Sequence, residues 1–282
     1  MRASHQDGAS ARLVYPAAAT ERDFAQMTLD IASEVLWARL TAAEIQARAT
    51  PDTVVLIPVA SIEQHGPHLA VGVDTVLAGG VAERTARRLV AAGTPALVTP
   101  TIWSGLAEHH MAFGGTMTLD LATFSALVGG IARSVARHGF RRIALINGHG
   151  GNTEAIGSVA IEATRALGVP VIGLTYWLAN ADTFAPILEA QSNVQHACEA
   201  ETSMMMALAP DCVRTDRIEA AVPKRFAPPA PPGFKRSRPF TEMTDTGVIG
   251  DPRTASAAKG ERLLEAAAAR LAEEFGRAEL WR

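Results

Sequence analysis

The chain has 282 residues, 48% hydrophobic and 20% charged, with a formal net charge of −3. That is enough material for one large α/β domain, and so small a net charge argues against a nucleic-acid or membrane-surface partner. Two cysteines, Cys198 and Cys212, make no disulfide framework and fit a reducing cytoplasm, and no apolar run is long enough to span a bilayer.

Residues 1–28 are polar and Ala-rich, without the apolar core of a signal peptide. They are expected to be a partly ordered extension to a single domain over 29–282. Residues 29–48 read as a helix, with Thr41 capping its second half. The run VVLIPVA, 54–60, reads as a strand buried on both faces. Straight after it come Glu63, His65, His68 and Asp74, interrupted by Gly66, Pro67 and Gly72, which mark a loop. Four donors of the types that suit zinc, manganese or iron thus leave the carboxyl end of a strand, where open α/β sheets bind ligands.

An amphipathic helix is expected over 75–92 and a short strand over 96–100. A Gly-rich loop with Glu108, His109 and His110 follows. Asp120 caps a helix that stops at Gly139. The strand at 143–146 runs into Asn147-Gly148-His149-Gly150-Gly151-Asn152, a turn into a helix over 153–167. Glycines there suit a phosphate cradle, but neither the P-loop nor the dinucleotide spacing is present. A histidine among them favours a metal ligand or a catalytic base. The strand at 169–176 ends at Trp177.

The segment 195–210 reads as a helix with a Met-rich core face, on which His196 and Glu199 share a side while Glu201 is turned well away. The two glutamates therefore have different jobs. Cys198, unassisted on an Ala-rich helix, is expected to be a small buried hydrophobe. Residues 222–240, rich in proline and basic side chains, form an exposed loop or an arm on a neighbouring subunit. Residues 259–281 close the chain as a helix. Strand and helix alternate from 53 to 207, which predicts a mostly parallel sheet with helices on both faces, a three-layer α/β sandwich.

Four of these segments together, IEQHGPHLAVGVDT, EHHMAFGGTMTL, NGHGGN and HACEAETS, with GVIGDP as a weaker late match, resemble the creatininase (creatinine amidohydrolase) family over most of residues 30–275. The resemblance implies a creatininase-like fold, two divalent ions per subunit (zinc, manganese or iron) and a homo-oligomer, often a hexamer. It implies that Asp74 bridges the ions, with Glu63 and His149 on one and His65 on the other. Creatininase has a further glutamate where this chain has Gly151. Glu199 is expected to replace it, leaving Glu201 as a catalytic or supporting carboxylate. His196 matches the family's general acid/base, and His109 is placed to orient substrate or stabilise an oxyanion. Trp177 matches one of two tryptophans that enclose creatinine. Ser192 stands in place of the other, and Gly150 in place of an aromatic, so the substrate pocket is expected to be more open.

The expected activity is hydrolysis of a C–N bond in a small amide, lactam or formamide by metal-activated water. Rival readings are a lactone or peptide hydrolase of the same family, a non-catalytic metal or small-molecule binding protein, and a phosphate-binding transferase.

Overall fold

Runs of β-branched and aliphatic residues without polar alternation need cover on both faces. In the computed structural model, which describes residues 33–227, 236 and 238–282, the sequence solves this with a sheet between two helical layers. Strands β1 (Val54–Val59), β2 (Ala96–Val98), β3 (Arg142–Asn147) and β4 (Val171–Thr175) pair in the order β2-β1-β3-β4, all parallel. Side chains alternate across a strand. Val54 and Leu56 therefore enter one core, while Val55, Ile57 and Val59 enter the other.

Helix α1 is Ala42–Ala47, and helices α2 (Val73–Ala91), α3 (Leu121–Arg137) and α4 (Thr153–Leu167) connect successive strands. The first core packs β1 and β3 against α2, α5 (Glu199–Leu208) and α6 (Ala257–Gly276). The second packs the opposite face against α3 and α4. The expected three-layer α/β sandwich is therefore present. Residues 35–282 form one compact unit. Among the described residues, no helix is long and apolar enough to cross a membrane.

Pro58 lies inside a central strand, where a missing N–H normally breaks the ladder. Here its carbonyl accepts from Ile102 N at 2.9 Å, on the side where β2 has already ended at Val98. The absent donor thus falls where there is no strand to receive it.

Two helix ends follow the sequence closely. Asp120 caps α3 by accepting from Thr123 N at 2.8 Å, and Gly139 beyond its last turn takes φ +103°. The helix expected over 29–48 is not continuous, although its first residues, with the whole 1–28 extension, lie outside the described residues. Val98 N donates to Val35 O at 2.8 Å and Leu36 bridges Val98, so these residues extend along the sheet edge instead of coiling. A 3₁₀ turn at Trp37–Arg39 follows, and helix forms only as α1, opened by a capping box between Thr41 and Glu44.

Helix α6 crosses α5 at Gly260, whose missing side chain lets it abut the Ser203 carbonyl; a Cβ there would also come within 2.8 Å of Met204 N. Backbone cannot swing aside as a side chain can. Gly260→Ala is expected to cost about 2–3 kcal/mol of stability by overpacking, read as a lower denaturant midpoint at unchanged slope. A loss below about 0.5 kcal/mol, the range of ordinary surface changes, would mean the helices separate freely there.

Candidate metal centre

Each strand ends at the same edge of the sheet and hands the chain to a loop. Glu63 and His65 follow β1, Asp74 lies in the first turn of α2, and His149 follows β3 directly. His109 and His110 sit in a 3₁₀ turn, Glu108–Phe113, after β2. Glu63, His65, Asp74, His149 and Glu201 are between 1% and 4% exposed. Carboxylates so buried are costly unless something positive meets them.

The hydrogen bonds behind the two imidazoles fix what they offer. His65 Nδ1 lies 3.2 Å from the Glu63 carbonyl oxygen and must donate to it, which leaves a lone pair on Nε2. That Nε2 is 3.2 Å from Asp74 Oδ1 and 3.9 Å from Glu201 Oε2. His149 Nε2 donates to the Leu106 carbonyl at 3.1 Å, and its Nδ1 is 3.0 Å from Glu63 Oε2 and 3.1 Å from Asp74 Oδ2. Lone pair thus faces lone pair at both rings. His65 Nε2, His149 Nδ1, Asp74 Oδ2 and Glu63 Oε2 have no hydrogen-bond partner.

Such an arrangement needs a second proton on each ring or a cation between the donors. Burial would lower His65, but Asp74, Glu201 and Glu63 outweigh it and push it up to about 9. Burial opposes His149 as well, yet Glu63 and Asp74 carry it well above its usual value. Burial raises Glu63, and raises Glu201 to about 7. A field that draws protons onto imidazoles also draws divalent cations. Ligand atoms of His65, Asp74 and Glu201 lie within 4.8 Å of one another, as do those of Glu63, His109 and His149, and those of Glu63, His65 and His196. Imidazole nitrogen with carboxylate oxygen suits zinc, manganese or iron, so the residues fit a metal. Asp74 presents one oxygen to the His65 side and the other to the His149 side.

The structure corrects the expected division between the helix glutamates. Helix α5 begins only at Glu199, with Cys198 as its N-cap, and Ala197 before it takes φ +53°. His196 is therefore off the helix, and a helical face cannot relate it to Glu199. Glu199 points away from the cluster. Its carboxylate accepts from Glu189 N at 3.0 Å and Ala190 N at 2.8 Å and pairs with Lys259 Nζ. Glu201, two residues or about 200° further round, reaches His65 and accepts from Ala197 N at 2.5 Å. The carboxylate brought to the cluster is that of Glu201, where Glu199 was expected. Cys198 is buried as expected, and burial pushes its thiol up to about 12, so it is no nucleophile.

His196 still reaches the cluster, with Nδ1 3.4 Å from Glu63 Oε1. Burial and then His65 and His110 hold it well below the usual imidazole value, so it is neutral. His68 does not join: its Nε2 lies 2.9 Å from Thr202 Oγ1, and burial lowers it to about 4.

A cavity of about 240 Å³ opens on these groups. Trp177, Gly150, His109, Val194 and Gln195 line it; Ser192 is exposed and does not. Two larger hollows, about 600 and 660 Å³, bring no imidazoles and carboxylates together. Gly151 leaves no room for a side chain, since a Cβ would collide with Leu106 O and lie 2.9 Å from the His109 ring.

Three neighbours were given no role by the sequence. His110, beside His109, puts Nε2 3.2 Å from Glu63 Oε2, and the Phe240 ring lies 4.0 Å from the His110 ring. Gln64, between two ligand-type residues, carries no motif signal of its own. Phe240 ends the Pro-rich 222–240 stretch, and Phe226 bridges Thr244. One described end of that stretch, Phe240, therefore returns to its own chain's site and the other pairs with Thr244, while 228–235 and 237 lie outside the described residues.

The family model described as Creatininase: Creatinine amidohydrolase matches residues 38–275. The chain is similar to creatinine amidohydrolase of Pseudomonas putida, 34% identical over 83% of this chain and 94% of that one. It is also 34% identical to the mycofactocin precursor peptide peptidase of Mycolicibacterium smegmatis, over 74% of this chain and 79% of that one. A solved mutant creatininase of Zn–Zn type matches with a TM-score of 0.72 and 32% identity, covering 86% of this chain and 97% of the other.

Proposed function

The chain belongs to the creatininase (creatinine amidohydrolase) family, and from that premise we propose that it hydrolyses the C–N bond of a small amide, lactam or formamide with two divalent ions in its cluster. The observation that carries this reading is the placement of Asp74, whose two oxygens each face an imidazole nitrogen left without a hydrogen-bond partner. Glu63, His149 and Asp74 would hold one ion; His65, Asp74 and Glu201 would hold the other. Such ions, when bound, supply Lewis acidity that brings water deprotonation near neutral pH and polarises a carbonyl oxygen.

The chain's own residues do the rest. His65 and His149 are held to one tautomer by the Glu63 and Leu106 carbonyls, so their lone pairs stay aimed at the cluster. His196, neutral and with Nδ1 toward Glu63, is placed to take a proton there and return it to the leaving nitrogen. Trp177 and Phe240 wall the cavity and limit water beside the scissile bond. His109, kept neutral by burial at about 4, can orient a substrate carbonyl. We also propose a homo-oligomer, for which exposed Leu121, Leu127 and Ile161 on α3 and α4 supply apolar surface.

The test is a hydrolysis panel of creatinine, formamides, lactams, lactones and short peptides, run with zinc, manganese or iron and after chelation. At least one amide or lactam should be turned over only by the metal-loaded protein. With Ser192 off the cavity wall, creatinine is expected to be a poor substrate beside another member. Full metal content with no hydrolysis anywhere in the panel would instead favour a binding protein.

A further inference from the structure

The side chain of Gln64 is nearly buried and lies behind the site, among four partners. Its Nε2 is 2.9 Å from His110 Nδ1, 2.9 Å from the Gly247 carbonyl oxygen and 3.1 Å from His196 Nε2. Its Oε1 accepts from Gly66 N at 2.9 Å. Two backbone groups therefore decide which end of the amide is which: a carbonyl needs the NH₂ and an N–H needs the oxygen. Gly247, at φ +82°, permits this approach, since a Cβ there would collide with Gln64 Oε1 and lie 2.8 Å from its Cδ.

The amide has two hydrogens. One goes to Gly247 O and the other to His110 Nδ1, which must then carry a lone pair. His110 is consequently protonated on Nε2, the ring nitrogen that faces Glu63 Oε2 at 3.2 Å. His196 Nε2 lies 2.8 Å from the Gln64 backbone carbonyl and donates to it, so its lone pair sits on Nδ1, 3.4 Å from Glu63 Oε1. The opposite assignment would set a lone pair on His196 Nε2 against that carbonyl oxygen, which is repulsive. We infer that Gln64 is a positioning residue that fixes the tautomer of His110 through its side-chain amide and that of His196 through its backbone carbonyl, so that one ring turns an N–H toward Glu63 and the other keeps its Nδ1 lone pair free at the cluster. This residue acts through the two rings and touches no substrate. It explains why a glutamine stands between Glu63 and His65, and why a glycine is needed at Gly247 far along the chain.

The inference rests on the hydrolase reading only for its effect on turnover; the ring tautomers can be read without any substrate. Long-range ¹H–¹⁵N correlation spectra of zinc-supplemented, ¹⁵N-histidine-labelled protein should show His110 and His196 both as Nε2–H tautomers. Gln64→Glu cannot donate, and its new carboxylate should draw the proton of His110 onto Nδ1. The same variant should lose about 10–100-fold in kcat with KM changed much less, the scale of losing a partner that orients a catalytic group. Gln64→Met, close in shape and without a donor, should leave His110 exchanging between tautomers, and serves if the first variant does not fold. Wild-type protein with His110 protonated on Nδ1, or folded variants that keep the wild-type tautomers at both rings, would overturn the inference. A wild type that hydrolyses nothing but shows the tautomer switch would remove the hydrolase reading and leave this one standing.

Discussion

On the proposed two-ion reading, Asp74→Ala is expected to release both ions and to lower turnover by more than the roughly 10–100-fold that loss of an outer partner alone produces. The carboxylate sits in the first turn of α2, where the positive end of the helix dipole favours its charge. Its oxygens lie 3.2 Å from His65 Nε2 and 3.1 Å from His149 Nδ1, so its removal strips an anionic donor from each side of the cluster at once. His149→Ala should disturb mainly the side it shares with Glu63. Elemental analysis of the two purified variants decides the matter. A full metal complement in the Asp74 variant would dismiss the shared carboxylate, and equal losses in both variants would argue that the two positions fill as one.

Glu199→Gln is expected to destabilise the fold by about 3–5 kcal/mol, the scale for stranding one charge of a buried pair, while metal content stays as in the wild type. Glu199 is fully buried and Lys259 is 5% exposed, and the lysine Nζ also meets Thr254 O at 2.7 Å and Glu189 Oε1 at 3.0 Å. Burial alone would raise the Glu199 carboxyl, but Lys259 and the Ala190 and Glu189 amides outweigh it and hold it below 4.5. Lys259 is opposed by burial and held above 10.5 by Glu199 and Glu189. A lowered carboxyl contributes stability above its unfolded value of 4.5 and loses it as pH falls through the folded value. A raised ammonium contributes below 10.5 and loses that as pH rises through its folded value. The pair therefore stabilises at neutral pH. The variant should show a shallower loss of stability on acidification, read by denaturant unfolding across pH. Metal loss at unchanged stability would return Glu199 to the cluster.

Much of the architecture was legible because β1 and β3 are buried on both faces and so are written as near-continuous apolar runs. The ligand loops were legible because histidines and carboxylates gather just after those runs. Residues 35 and 36 were misleading for a physical reason. Their helical pattern is overridden by backbone pairing with Val98, a contact fixed only once β2 is in place. Glu199 and Glu201 could not be sorted because everything depends on where α5 begins. That start is set by Ala197 in a left-handed conformation which side chains seldom adopt, and by Cys198, which is not among the usual N-caps. Adjacent His109 and His110 have the same chemistry, and only the turn at Glu108–Phe113 decides which is buried beside Glu63. Phe240 had no signal at all, since its place over the His110 ring is made by a return of the chain from a distant segment.

The donors at 63, 65, 74, 149 and 201 come from segments that meet only after β1, β3, α2 and α5 have docked. An unfolded chain holds no such set, so ions that bind here bind the folded state selectively. Their free energy is then added to folding, about 2.7 kcal/mol when free metal is a hundredfold above its dissociation constant. The emptied protein must keep three buried carboxylates together with only protons to offset them. Metal supply would thereby act as a check on assembly, since a chain that misplaces any one of these segments forfeits the ions and the stability they confer. Cells short of metal would then lose the protein itself, through unfolding and proteolysis, as well as its activity.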